Sequence, residues 1–230
     1  MRIHKVQVNA AAQGLDRPFL MRHIAQVDHF AMYLYLCEGA VARHRHIAQD
    51  ELFYVHSGLL NLDTDWGHLG LSQGEFAVVP RGLSHLSGCI ERTIVMLCQA
   101  TSDPNRKNGQ GRTAVESRED GLPKWSIFRE AERLPQSYLP VALAQVDEMS
   151  VRVVWCEGET PWHAHPHHDE MLFVQSGHMA IESEMGPVVA GASDLVVIPR
   201  GGQHRLMASQ RTIALSLIHT EVSDRSHMGG

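Results

Sequence analysis

Short runs in which apolar residues alternate with polar ones, or stand side by side, recur along this chain between glycine and proline breaks. In the first half they are FAMYLYLC, ELFYVHSG, LLNLDTDWG, EFAVVPRG and RTIVMLC; in the second, SVRVVWC, EMLFVQSG, HMAIESEMG, DLVVIPRG and RTIALSLI. A period of two, rich in β-branched and aromatic residues, predicts strands, and many short strands with regular turn residues predict a sandwich or barrel in each half. Helical candidates are confined to NAAAQGL and FREAERL, one before each set of strands. The expected fold class is all-β with few short helices.

The two sets are one set written twice. At a single offset of 119 residues, AQVD at 25–28 returns at 144–147, Cys37-Glu38-Gly39 as Cys156-Glu157-Gly158, and Ser57-Gly58 as Ser176-Gly177. PRG at 80–82 and RTI at 92–94 return at 199–201 and 211–213 without a gap. Agreement at so many positions under one offset marks two similarly built units. Between them, residues 101–123 are polar, rich in Gly, Asn and charge, and longer than loops within a domain usually are. The division expected is an N-terminal unit over 1–109, a linker over 110–123 and a C-terminal unit over 124–230.

Composition narrows the partners. An apolar fraction of 43% and a formal charge of −6 describe an ordinary globular chain with no basic surface for nucleic acid or an acidic membrane. A small molecule is the expected partner. No signal-like or membrane-spanning apolar run is found, so a cytoplasmic location is expected. Cys37, Cys89, Cys98 and Cys156 form no CxxC pair and lie in apolar stretches, as reduced core residues do.

Sixteen histidines are the unusual count, and many cluster in HRHIAQDE at 44–51 and HAHPHHDE at 163–170. Residues two apart on a strand share a face, so His44 and His46 would project together, as would His163 and His165. After four intervening residues Glu51 and Glu170 open the next strand beside them. Pro80-x-Gly82 and Pro199-x-Gly201 make turns that deliver His85 and His204. Each unit thus offers three imidazoles and one carboxylate, a set that suits divalent first-row metals and is the pattern of non-haem iron sites. His167 and His168 fall in the turn between ligands and are expected in solvent; Arg45 should point away from the ligands. His4, His178 and His219 belong to no cluster and are expected at the surface or in packing. Arg152, Tyr33 and Tyr35 could face the pocket, subject to strand parity.

These residues resemble the two motifs of the cupin superfamily, G-x(5)-H-x-H-x(3,4)-E-x(6)-G and G-x(5)-P-x-G-x(2)-H-x(3)-N. Gly39, His44, His46, Glu51 and Gly58 follow the first, one residue short before His44; Gly74, Pro80, Gly82 and His85 follow the second. Gly158, His163, His165, Glu170, Gly177, Pro199, Gly201 and His204 repeat the match, with Ser193 for a glycine and with Cys89 and Ala208 where the final Asn belongs. The resemblance, to a bicupin, implies two double-stranded β-helix barrels, each holding a metal.

That fold hosts many chemistries. DELFYVHSGLLNLDTDWG with GEFAVVPRG is loosely similar to aromatic ring-cleaving cupin dioxygenases, whereas Val41 and Thr160 stand where bicupin oxalate decarboxylases carry an arginine. The leading expectation is a mononuclear Fe(II) dioxygenase, one Fe(II) per barrel, acting on a small chelating substrate that is aromatic or diketone-like. Glu51 and Glu170 would be its catalytic groups as well as ligands, able to move a proton. The alternatives are an oxygen-independent isomerase, lyase or decarboxylase, and a non-catalytic metal or small-molecule binder or a structural zinc site. Mn, Ni, Zn and Cu all suit the same donors. A homo-oligomer is a family habit.

Overall fold

The structure, a computed structural model, describes residues 2–101 and 118–220. Residues 110–117 of the expected linker lie outside the described residues.

The first sheet is built from β2 (Arg22–Val27), β3 (Phe30–Ala40), β4 (Glu51–Ser57), β5 (Leu59–Thr64), β6 (Gly67–Ser72), β7 (Glu75–Val79), β8 (His85–Ala100) and β9 (Lys124–Ser126). Its order is β2-β3-β8-β4-β7-β9, with β5 joining β8 and β6 joining β5. The second sheet repeats it with β10 (Val141–Val146), β11 (Met149–Glu159), β12 (Glu170–Ser176), β13 (His178–Ser183), β14 (Val188–Gly191), β15 (Asp194–Ile198) and β16 (His204–His219). The order there is β10-β11-β16-β12-β15-β1, where β1 is His4–Gln7. Pairing within both sheets is antiparallel. Among the described residues the helices are α1 (Val8–Gln13) and α2 (Ile127–Glu132), within a residue or two of the expected segments. No helix among the described residues is long and apolar enough to cross a membrane.

Every strand expected from the apolar runs is present, and the two RTI runs prove to be the inner parts of 16-residue strands that begin at His85 and His204. Each long strand pairs with three others, and its interior positions carry the core: Val95 and Leu97 with Tyr35, Val55 and Leu62 in one barrel, Ala214 with Val154, Leu172 and Ile181 in the other. One repeated device ties a turn to the core. Thr93, fully buried, accepts a hydrogen bond from Leu59 N at 3.1 Å, and Thr212 accepts one from His178 N at 3.1 Å. The glycine before each donor, Gly58 at φ 91° and Gly177 at φ 83°, occupies the left-handed region with the threonine oxygen 2.5 Å from where a Cβ would stand.

By their contacts the residues group as 8–129 in one unit, and 1–7 with 130–230 in the other. This differs from a division at the linker because the strand preceding each repeat is paired into the other repeat's sheet. β1 pairs with β15, His4 opposite Val197, and β9 pairs with β7, Trp125 opposite Phe76. The exchange is reciprocal, down to its ion pairs: Lys5 Nζ meets Asp194 at 3.2 Å, and Lys124 Nζ meets Glu75 at 2.8 Å, the same two positions 119 residues apart. All four cysteines are free and buried.

Candidate metal centres

In each unit the His-x-His pair lies in the segment that follows β3 or β11, outside the regular strands expected for it. What holds it extended is a two-bond bridge to the start of the long strand. His44 N donates to His85 O at 2.9 Å and His85 N donates to His44 O at 2.8 Å; His163 and His204 do the same at 2.9 Å each way. The Pro-x-Gly turn closes the other side, Gly82 N donating to His46 O at 2.6 Å and Gly201 N to His165 O at 2.8 Å. Gly82 and Gly201 sit at φ 86° and 77°, which a Cβ would oppose. Asp50 and Asp169, just before the glutamates, accept Arg81 N at 2.8 Å and Arg200 N at 3.0 Å. Sequence reading missed this role; its signal was the repeated Asp-Glu pair.

The four side chains of each set converge. One donor atom from each of His44, His46, Glu51 and His85 lies within 4.8 Å of the others, and the same holds for His163, His165, Glu170 and His204. With metal–ligand bonds of about 2.0–2.2 Å, donors on opposite sides of one ion stand about 4.4 Å apart, so both sets fit. The imidazoles are oriented from behind: His44 Nδ1 faces Ala42 O at 2.9 Å, His85 Nδ1 faces Leu83 O at 3.1 Å, His163 Nδ1 faces Pro161 O at 2.9 Å and His204 Nδ1 faces Gly202 O at 2.9 Å. A carbonyl can only accept, so each Nδ1 carries a hydrogen, and in the neutral ring each Nε2 presents its lone pair inward.

Toward the centre the buried donor atoms are not satisfied. Glu51 Oε2 lies 3.3 Å from His46 Nε2 and 3.1 Å from His85 Nε2, and Glu170 Oε2 lies 3.4 and 3.3 Å from the Nε2 atoms of His165 and His204. Yet Oε2 of both glutamates and Nε2 of His85, His165 and His204 are buried without a hydrogen-bond partner. Near but unaligned, these atoms aim at a common point rather than at one another. Buried polar atoms left so are costly unless a cation fills that point. The residues therefore fit a divalent metal in both units.

The electrostatics agree. Burial pushes the Glu170 carboxyl up, but the His165 and His204 imidazoles beside it outweigh that and hold the group at about 2. His204 is opposed by burial and raised by Glu170. His46 is lowered, burial outweighing the pull of Glu51. Cys156, nearby, is pushed up to about 12 by burial and then by the charge of Glu170, so it stands there as a neutral thiol.

Beside the second centre is a cavity of about 150 Å³ whose wall includes His163, His165, Glu170, Arg152, Cys156 and Leu172. Arg152, Val154 and Cys156 all line it, which settles the parity of β11: these alternate residues face inward. By the repeat, Tyr33, Tyr35 and Cys37 share the corresponding face of β3; Tyr35 is buried and Tyr33 packs against its cluster. Arg45 is exposed, as expected. His168 is not: it is 4% exposed, stacked on His165 with ring centroids 5.2 Å apart and on His219 at 6.4 Å. The turn folds its ring back over the end of β16, where stacking on two imidazoles replaces water. His167, His4 and His178 are exposed, and His219 is half-buried.

Comparison with known proteins agrees with this architecture. A family model described as cupin domain matches residues 152–219. Uncharacterized protein YdbB of Bacillus subtilis (strain 168) is 29% identical over 92 residues, 40% of this chain and 81% of that one. Among solved structures, a cupin 2 conserved barrel domain protein from Leptotrichia buccalis superposes with a TM-score of 0.72 at 10% identity, covering 95% of this chain and 96% of the other. A salicylate 1,2-dioxygenase from Pseudaminobacter salicylatoxidans does so with 0.71 at 12%, covering 97% and 86%. At such identities the likeness is one of fold. Residues 152–219 thus match the cupin domain model, and the chain as a whole has the fold of two cupin-type barrels in tandem.

Proposed function

We propose that the chain is a metal-dependent enzyme, a mononuclear non-haem Fe(II) dioxygenase acting on a small chelating substrate. One observation carries the reading: in both units donor atoms of three imidazoles and a carboxylate converge on a point that an ion would occupy, and those of Glu51, His85, His165, Glu170 and His204 are buried there without a hydrogen-bond partner. Three neutral imidazoles and one carboxylate leave coordination positions open on an octahedral ion, as non-haem iron chemistry requires and a closed structural site does not. The fold supports the reading only in allowing it, since proteins of this architecture include a salicylate 1,2-dioxygenase.

Iron bound there would act as Lewis acid and template, and would supply the redox chemistry with O2. The chain's own residues do the rest. The carbonyls behind His44, His85, His163 and His204 fix ring tautomer and direction. Glu170, held as a carboxylate beside a cavity, is placed to accept a proton from an acidic substrate hydroxyl. Val154, Leu172 and Leu206 line that cavity and exclude water.

The test is metal identity and stoichiometry by mass spectrometry on untagged protein purified without added metal, followed by oxygen uptake with catechols, hydroquinones and diketones. About two equivalents, mainly iron, with oxygen consumption is the expected result. Turnover that persists without oxygen would replace the dioxygenase with an isomerase or lyase using the same ligands. No metal, and none taken up on incubation with Fe(II), would sink the proposal.

A further inference from the structure

The two barrels carry the same four ligands and differ in what stands behind one of them. His168 lies between the His-x-His pair and the glutamate, and the matching place in the first barrel, 119 residues earlier, holds Gln49. At the end of the long strand, His219 likewise corresponds to Ala100. Gln49 turns to the sheet, its Nε2 donating to Gln99 Oε1 at 3.0 Å. His168 instead lays a buried ring against the ligand His165, with centroids 5.2 Å apart and planes 28° from parallel.

The far side of that ring is anchored in the sheet. Glu170 pairs with Ile218 and Met149 with His219, so the end of β16 is held between β12 and β11 where the bend over 166–168 closes. His219 Nδ1 faces Thr220 O at 3.2 Å, and Thr220 N donates to Glu148 O at 2.8 Å, which fixes the outer ring. His168 lies on it at 6.4 Å and 22°. Asp169 accepts Arg200 N at 3.0 Å and pins the chain immediately after His168. Three rings thus run in series from the backbone of β16 to a metal ligand.

From these observations, and resting on the metal reading above, we infer that His168 is a positioning residue for His165, and that the C-terminal centre releases its metal more slowly than the N-terminal one. An ion leaves only when a ligand ring swings away from it. His163 and His204 are each oriented by a carbonyl behind Nδ1, whereas His165 is held by the face of another ring. Swinging His165 outward breaks its stack on His168 together with its bond to the ion. In the first barrel the equivalent ligand His46 has Gln49 in that place, and its side chain is 35% exposed against 25% for His165. That ring moves into solvent with less to displace.

The experiment uses the full chain loaded with Zn(II), which suits the same donors, and follows release to an excess of the coloured chelator 4-(2-pyridylazo)resorcinol by stopped flow at pH 7.5. Two phases of one equivalent each are expected, and His165→Ala should keep only the faster. His168→Gln and His219→Ala each install the residue that the first barrel carries at that position. His168→Gln should speed the slower phase about 3- to 10-fold, the worth of one ring stack, and His219→Ala should speed it less. The faster phase should stay unchanged in both. His168→Phe, which keeps a flat ring, should restore the slow release. Zinc content and melting temperature check that each variant is folded and loaded, and either of the first two decides the matter if the other is not. A single phase for both centres, a slower phase that survives in His165→Ala, a slower phase unmoved by His168→Gln, no rescue by phenylalanine, or equal acceleration of both phases would overturn the inference and leave the metal reading standing. A chain that takes up no Zn(II) overturns the metal reading, and this inference with it.

Discussion

Replacing Glu170 by glutamine in metal-free protein should cost the most stability in mildly acidic solution, and less on either side. The carboxylate is held at about 2, against 4.5 for a free glutamate, and its side chain is only 12% exposed, so solvent screens it little. At about 1.4 kcal/mol per pKa unit this bounds the effect on the order of 3 kcal/mol. A depressed acid contributes stability that is complete above 4.5 and disappears as pH falls toward about 2. His204, raised above 6.5, contributes stability that is complete below 6.5 and disappears as pH rises through its folded value. The two describe one ion pair, whose window is therefore about pH 4.5 to 6.5. Urea denaturation in EDTA at pH 5.5 and pH 9 measures it, with the gap between wild type and Glu170→Gln larger at the lower pH. For a chain of this size it corresponds to a fall in melting temperature of about 6–12 °C. A gap that widens from pH 5.5 to pH 9 would refute the reasoning, because something other than a protonated imidazole would be holding the carboxylate.

Metal content should fall by about one equivalent per chain in His46→Ala or in His165→Ala, and by about two in the double variant; atomic-emission analysis reads this directly, and loss of both metals from one substitution would mean that the centres are not independent. Glu75→Gln removes a carboxylate that burial opposes but that Lys124 and Ser72 N lower by hydrogen bonds, so the variant should lose about 1 kcal/mol at pH 7 and converge on wild type as pH drops below 4.5, through the folded value. Gly177→Ala places a Cβ 2.5 Å from Thr212 Oγ1 at a φ of 83°; strain and overpacking together predict a loss on the order of 3 kcal/mol, and a melting temperature within about 1 °C of wild type would contradict that account.

The ligand sets were legible because each is written locally. His44, His46 and Glu51 lie within eight residues, a Pro-x-Gly turn announces His85, and the repeat confirms all four. The central strands were legible because burial on both faces makes them continuous apolar runs. β2, β6, β10 and β14 were not, since sequences such as RHIAQV and VALAQV belong to lesser strands with many exposed positions. The orientation of Arg152 depended on one step of strand parity, which a bulge in the neighbouring strand can shift; the register between β10 and β11 does shift, between Ala142 and Ala144. His168 was misjudged because a turn's direction is set by what it folds against, here His219. The placing of β1 and β9 is a long-range choice between sheet edges, and nothing in HKVQ or KWS distinguishes one edge from another.

That reciprocal placing makes the protein a poor source of detachable modules. A proteolytic cut or a stop codon between the repeats yields a piece bearing a strand its own sheet cannot use, while β7 or β15 loses a hydrogen-bonded neighbour. An uncovered sheet edge is a template for other chains. The separate halves should therefore aggregate when expressed singly and recover each other when expressed together, each fragment completing its counterpart. A single-barrel version of this protein would need its missing strand grafted on, with the lysine that anchors it.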